Sequence, residues 1–211
     1  MGAPSKATLR SQVTRLRDGL VAVGRGADAA KIYAMATIIV DETAEKAQAK
    51  YQQILEVADP EAALVLMSGW MGVDLSKYDL DEPVGNVKSN AIQSTVASFK
   101  QEADEGREWT VRDIAEYAKV GGYGIKIIGS PSEVADQLEE WVAETGIDGF
   151  NLSYAITPGT FEDVVRWVVP ELQKRGVYPT EYTSGSLRNK LHGRGDHLPP
   201  DHRGYQYKIS K

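Results

Sequence analysis

The sequence contains no cysteine, which excludes a disulfide framework, thiolate zinc sites, and any thiol nucleophile or redox couple. Histidine is nearly as scarce. The three present, His192, His197 and His202, all lie near the C-terminus. The body of the chain therefore cannot carry a serine–histidine triad, a histidine–carboxylate dyad or a two-histidine zinc motif. No run approaches the roughly 18 apolar residues of a spanning helix, and the first residues lack the apolar core of a signal peptide. Lys6 stands where a myristoylation signal after Met1-Gly2 requires Ser or Thr. A cytoplasmic chain without membrane association is expected. No internal repeat, phosphate-binding loop or nucleophile elbow is visible. Gly121-Gly-Tyr-Gly124 precedes a strand with no helix directly after it, so it fits neither a P-loop nor a dinucleotide fingerprint.

What is present has globular proportions: 211 residues, 42% hydrophobic and 26% charged, enough for one ordinary domain. The formal net charge of −6 is unevenly spread. From Leu187 onward six Lys/Arg face two Asp, so this segment is +4 and the preceding body −10. An acidic body argues against a nucleic-acid groove. The basic segment could contact RNA or an anionic surface, but it reads first as a solvated terminal stretch packing on a neighbour. Its Asp196-His197 and Asp201-His202 pairs match no metal-ligand spacing, and no metal is expected.

Ser5–Val23 reads as an amphipathic helix with Leu9, Val13, Leu16, Leu20 and Val23 on one stripe. Ile32–Val40 is almost continuously apolar, the pattern of a parallel strand covered on both faces. A helix capped by Asp41 or Thr43 follows, carrying Ala44, Ala47, Tyr51, Ile54, Leu55 and Ala58 on one stripe. The middle is less regular: a short helix from Pro60, a long loop from Ser68 to Tyr78, and helical stretches around Ala91 to Ala103 and Val111 to Lys119. Such an excursion from a layered fold is where binding residues often sit, and Trp70, Met71 and Tyr78 are either pocket walls or plain core. Ile125–Ile128 is a short strand. Ser130-Pro-Ser-Glu133 forms a complete capping box for a helix burying Val134, Leu138, Trp141 and Val142. Gly149–Ser153 is a third strand, and a last helix turns Phe161, Val164, Val165 and Val168 inward until Pro170 kinks or restarts it. Strands alternating with helices imply parallel βαβ units. Three strands are too few for a (β/α)8 barrel. The expectation is thus α/β: a small open sheet, or part of a barrel whose earlier strands are missing. The opening helix, which would ordinarily follow a strand, favours the second.

In such folds ligand sites lie at the C-terminal ends of the strands. Asp41 and Glu42, after the first strand, read as the start of the next helix. Gly129 and Ser130, after the second, offer helix N-terminal amides suited to a phosphate or carboxylate, although a capping box uses the same donors. Asn151, Ser153 and Tyr154, at the end of the third, are unusually polar for a buried strand end and are pocket candidates. The acidic pair Glu139-Glu140 lies on a helix surface.

Several segments resemble, in order, the C-terminal half of the luciferase-like flavin-dependent monooxygenases that act on nitrilotriacetate, EDTA, dibenzothiophene sulfone and dimethyl sulfide. They are Gly129-Ser-Pro-Ser-Glu-Val-Ala-Asp-Gln-Leu138, Gly149-Phe-Asn-Leu152, Val168-Val-Pro-Glu-Leu-Gln-Lys-Arg-Gly-Val177 and Tyr178-Pro-Thr-Glu-Tyr182, with Ser68-Gly-Trp-Met-Gly-Val-Asp-Leu75 similar to the family's insertion. The resemblance implies a partial (β/α)8 (TIM) barrel over residues 1–191, holding the last three strands and a helical insertion at about 60–120, followed by a basic, irregular tail at 192–211. It implies a two-component enzyme that inserts one atom of O2 into a small sulfur- or amine-containing organic substrate, using reduced FMN from a partner flavin reductase. It also implies that the N-terminal half, with most flavin contacts, is absent. On that basis Gly129 and Ser130 fall on the phosphate side, while Asn151, Ser153 and Tyr154 line the substrate pocket. Alone, the chain is expected to be inactive and to form homo-oligomers. The other reading is a non-catalytic half-barrel that docks on another subunit.

Overall fold

Tyr33–Val40 is apolar or small on both faces apart from Thr37, and it becomes the central strand, β1, of a three-stranded parallel sheet. The computed structural model describes residues 1–86 and 108–207; the helical stretch expected around Ala91 to Ala103 lies outside them. Strand β2 (Ile125–Gly129) pairs with Ala36–Val40 on one side of β1, and β3 (Gly149–Ser153) pairs with Tyr33–Thr37 on the other. The sheet is open, in the order β2-β1-β3. An α/β partial barrel is therefore what the chain forms. Three successive barrel strands would lie side by side in chain order, however, and here the first strand is central. The burial pattern carries the reason. β1 is buried along nearly its whole length, whereas β2 alternates buried and half-buried residues and no residue of β3 is fully buried. Only β1 suits a position between two neighbours.

One face of the sheet presents Ala34, Ala36, Ile38 and Val40 with Ile125, Ile127, Phe150 and Leu152. It packs against α1 (Lys6–Ala22), α5 (Pro131–Thr145) and a π-helical turn at Val164–Val168 through Leu9, Val13, Val134, Leu138, Val164 and Val168. The N-terminus of α5 is the expected capping box with Pro131 in its first turn, and α2 (Ala44–Val57) is capped by Thr43. A second core gathers α3 (Pro60–Met71) and α4 (Val111–Ala118) around Met67, Met71, Leu75, Trp109 and Ile114. It is the core of the insertion.

Four expected stripes are corrected. In α1 only the first half is buried; Leu16 is 37% exposed and Val23 72%, because the buried contact with α5 stops short of the helix's second half. In α2 only Ala47 is fully buried. In α5, Val142 is 39% exposed while Thr145 is buried, the drift expected of a 3.6-residue period. After β3, the buried positions are Thr160, Val164 and Val168, and the adjacent stripe of Phe161 and Val165 faces out. That stripe belongs to α6 (Gly159–Asp163) and the π turn, which lead to α7 (Val169–Lys174) with Pro170 in its first turn.

Charged staples fix the N-terminal end of the sheet. Asp148, just before β3, accepts the Ile32 amide at 2.9 Å and pairs with Lys31 at 3.1 Å and Arg17 at 3.3 Å, joining α1, β1 and β3. Among the described residues no helix is long and apolar enough to cross a membrane.

The open edge at β3 is bordered by Tyr154 at 61%, Phe161 at 40% and Val165 at 67% exposure. An unpaired strand edge beside apolar side chains recruits another chain. We therefore expect the purified chain to self-associate in sedimentation velocity, with Val165→Glu shifting it toward monomer. A monodisperse monomer with a sharp thermal transition would contradict this.

Candidate functional site

Side chains alternate across a strand, so the opposite face of the sheet carries Tyr33, Met35, Thr37 and Ile39 of β1, Lys126 and Ile128 of β2, and Asn151 and Ser153 of β3. The register places Lys126 beside Thr37 and Thr37 beside Ser153, a polar row running straight across the sheet. Met35 is level with Asn151 and Ile39 with Ile128. This is the face a closed barrel would turn inward.

The insertion covers part of it. Gly121, at φ +72°, lies so close over Thr37 that an added Cβ would sit 2.1 Å from the Thr37 hydroxyl. The Tyr117 ring lies 3.3 Å from the Lys126 Nζ, and the Tyr117 hydroxyl donates to the Gly124 carbonyl at 2.9 Å. Within the described residues neither the Lys126 ammonium nor the Thr37 hydroxyl has a hydrogen-bond partner. Burial pushes the Lys126 amine down to about 7, since the charged form is the one that loses hydration. Sequence reading missed both residues, although a lysine inside Ile-Lys-Ile-Ile was a visible break in an apolar strand.

The five expected site residues fall in two separate places. Ser153 is half-buried at the end of the polar row; Asn151 and Tyr154 are exposed, with Tyr154 6.1 Å from the Phe161 ring. Gly129 is buried opposite Val40 at the other edge. Two strand spacings and three residues along the strands separate Gly129 from Ser153, roughly 14 Å. The amides expected to hold an anion are engaged: the Ser130 N–H and hydroxyl donate to the Glu133 carboxylate at 2.8 and 2.7 Å. The shallow groove of about 580 Å³ beside Gly129 is lined by Glu45, Glu133 and Asp136, with no lysine or arginine in its wall. Asp136 is paired with Arg175 at 2.6 Å, and the remaining carboxylates, Glu45 and Glu133, disfavour a phosphate there.

At the C-terminal end of β1, Lys50 binds Asp41 at 2.8 Å, Asp163 at 2.9 Å and the Val40 carbonyl at 2.9 Å. The Lys50 hydrogen bond holds the Asp41 carboxyl below its ordinary range. This cluster ties α2 and α6 to the strand. Its lysine is shared between two aspartates and is not free for a phosphate. The residues present thus do not compose the phosphate half of a flavin site; they provide polar and apolar wall along the row from Lys126 to Ser153.

A model of the luciferase-like monooxygenase family matches residues 1–149. The chain is 42% identical over 200 residues to the dimethyl-sulfide monooxygenase of Hyphomicrobium sulfonivorans, a match covering 94% of this chain and 42% of that protein. It is 34% identical over 210 residues to the long-chain alkane monooxygenase of Geobacillus thermodenitrificans, covering 99% and 43% respectively. A riboflavin lyase, whose structure was solved with a modified FMN and riboflavin, superposes with a TM-score of 0.85 at 32% identity, over 100% of this chain and 46% of that one. The chain therefore spans less than half the length of these relatives.

The buried amine makes stability depend on pH in a defined direction. The unfolded chain keeps this proton up to the ordinary lysine value of 10.5, while the folded chain releases it near 7. Between those values the unfolded state binds more protons, so stability rises with pH. Because one pKa unit corresponds to about 1.4 kcal/mol, urea unfolding should show a gain of about 2 kcal/mol between pH 7 and pH 9. Lys126→Met should flatten that slope and be more stable than the parent at pH 7. An unchanged slope in the variant would refute the assignment.

Proposed function

Because the chain belongs to the luciferase-like monooxygenase family, we propose that residues 1–191 form part of the (β/α)8 barrel of a two-component, flavin-dependent monooxygenase. In this reading the insertion occupies about 60–120, and 192–211 is an appended basic tail. The enzyme works in the cytoplasm, inserting one atom of O2 into a small organic substrate with reduced FMN delivered by a partner flavin reductase. The observation supporting this most strongly is the 42% identity sustained over 94% of the chain. A substrate containing sulfur or an amine is the narrower form of the proposal, and the sulfide-oxidising relative supports it.

Within that enzyme the chain's own residues would shape and dry the site. Asn151 and Ser153 line the substrate side, where an amide and a hydroxyl orient a small polar molecule against the apolar wall of Met35 and Ile39, while Tyr154 stands beside Phe161 at the border of β3. Reduced flavin supplies the oxygen chemistry when bound, which suits a body with neither cysteine nor histidine. Gly129 and Ser130 would serve a phosphate only after Glu133 gave up the Ser130 amide. A second reading, a non-catalytic half-barrel that docks on another subunit or a second copy, is favoured by the exposed apolar border of β3.

Fluorescence titration of oxidised FMN with the purified chain, repeated anaerobically with reduced FMN, separates these readings. The enzyme reading expects saturable quenching that Asn151→Ala combined with Ser153→Ala, on the substrate side, leaves in place. It expects riboflavin to bind about as well as FMN, because the phosphate contacts lie outside this chain. Tighter FMN binding that strengthens further in Glu133→Gln would restore Gly129 and Ser130 as phosphate ligands. No quenching in either redox state leaves the docking module.

A further inference from the structure

The opposite end of the sheet holds the larger and more enclosed cavity. A groove of about 750 Å³ runs between the loop from Val23 to Lys31 and the segment from Arg188 to Arg203. The Val23–Lys31 loop precedes β1 and therefore lies at the N-terminal end of the sheet. The polar row of the candidate site crosses β1 at Thr37, four residues further along and roughly 13 Å away along the strand. Two stretches of chain more than 150 positions apart in sequence thus converge on it.

Its charge is one-sided once internal pairs are set aside. Lys31 is bound to Asp148 at 3.1 Å, and Arg194 to Asp201 at 2.8 Å. Arg25, Arg188 and Arg203 also line the groove, and among the described residues none of them pairs with a carboxylate. Arg25 donates to the Ala29 carbonyl at 3.2 Å and Arg188 donates through Nε to the His197 carbonyl at 3.0 Å. Those backbone bonds hold the side chains in place and leave other guanidinium N–H groups available. Only Asp28 opposes the three arginines in the wall. His202 Nδ1 accepts the Gly204 amide at 3.0 Å, so its other ring nitrogen is the one left to donate toward a ligand. Val23, Leu191 and Pro199 give the same groove an apolar flank.

Guanidinium forks match the oxygens of a phosphate group, and several converging on one space recognise it far better than separate surface lysines. The space is also much larger than a single phosphate and is partly apolar. We propose that this groove binds a phosphate monoester with an organic body of about mononucleotide size, at a site separate from the C-terminal ends of the strands. The site uses Arg25, Arg188 and Arg203 for the phosphate and Val23, Leu191 and Pro199 for the body. It does not depend on flavin binding elsewhere in the chain.

The test is isothermal titration of the full chain with adenosine 5′-monophosphate, adenosine and inorganic phosphate. Adenosine 5′-monophosphate should bind saturably, inorganic phosphate at least tenfold more weakly, and adenosine not measurably. Arg188→Ala and Arg203→Ala should each weaken nucleotide binding at least fivefold, Arg188→Lys should recover only part of it, and Arg112→Ala, on the insertion, should change nothing. Circular dichroism of each variant confirms that the tail segment still folds. Equal binding of adenosine, no binding of any of the three probes, or binding indifferent to both arginine substitutions in folded protein would overturn the proposal. Because flavin quenching is read separately, a failure here leaves the enzyme reading intact.

Discussion

Everything in this chain is hung on β1. Among the described residues it is the only strand with neighbours on both sides, it contributes to both faces of the sheet, and its two ends anchor the two charged clusters. Its own pairing is split: β2 grips the C-terminal half and β3 the N-terminal half, overlapping only at Ala36 and Thr37. At Thr37 the polar row crosses the sheet, and there the insertion presses a glycine against the strand. The packing of the helical layer, the placement of the insertion and the geometry of the candidate site all follow from where that strand lies.

Local features of the fold were legible in the sequence because their causes are local. The capping box at Ser130 and Glu133 and the Thr43 cap each depend on a few adjacent residues, and each stands where the chain chemistry requires it, whereas at Pro170 the helix runs on through a π turn without a break. The strand order was not read, although a trace of it was present. Ile32–Val40 is apolar on both faces, whereas Ile-Lys-Ile-Ile and Gly-Phe-Asn-Leu-Ser alternate, and that difference separates a central strand from two edges. The outward turn of Phe161 and Val165 was less accessible. Two adjacent apolar stripes on one helix are equivalent until the position of the sheet is known.

The candidate site was half legible for a related reason. Ser153 and Asn151 stand out as polar residues in a short strand, and they do lie on the face a barrel would turn inward. Lys126 and Thr37 escaped notice because each is a single polar residue in an apolar run, and only the register shows that they share a row with Ser153. Gly129 and Ser130 illustrate the converse. Their signal was a helix N-terminus, yet the residue that completes the cap, Glu133, occupies the donors and adds negative charge to the groove. The family relationship explains why an open sheet with a lysine on its inward face is not an isolated oddity: the relatives are more than twice as long, and this chain corresponds to less than half of them.

Amide hydrogen exchange tests most directly whether β1 is the hub of an open sheet. In the monomeric fraction, the amides of Ile38, Ile39 and Val40 should exchange only through global unfolding. The β3 amides that point away from β1 should exchange by local opening, orders of magnitude faster. Uniformly high protection across β1 and both sides of β3 in that fraction would contradict the account, because it would mean that β3 is not an unfinished edge.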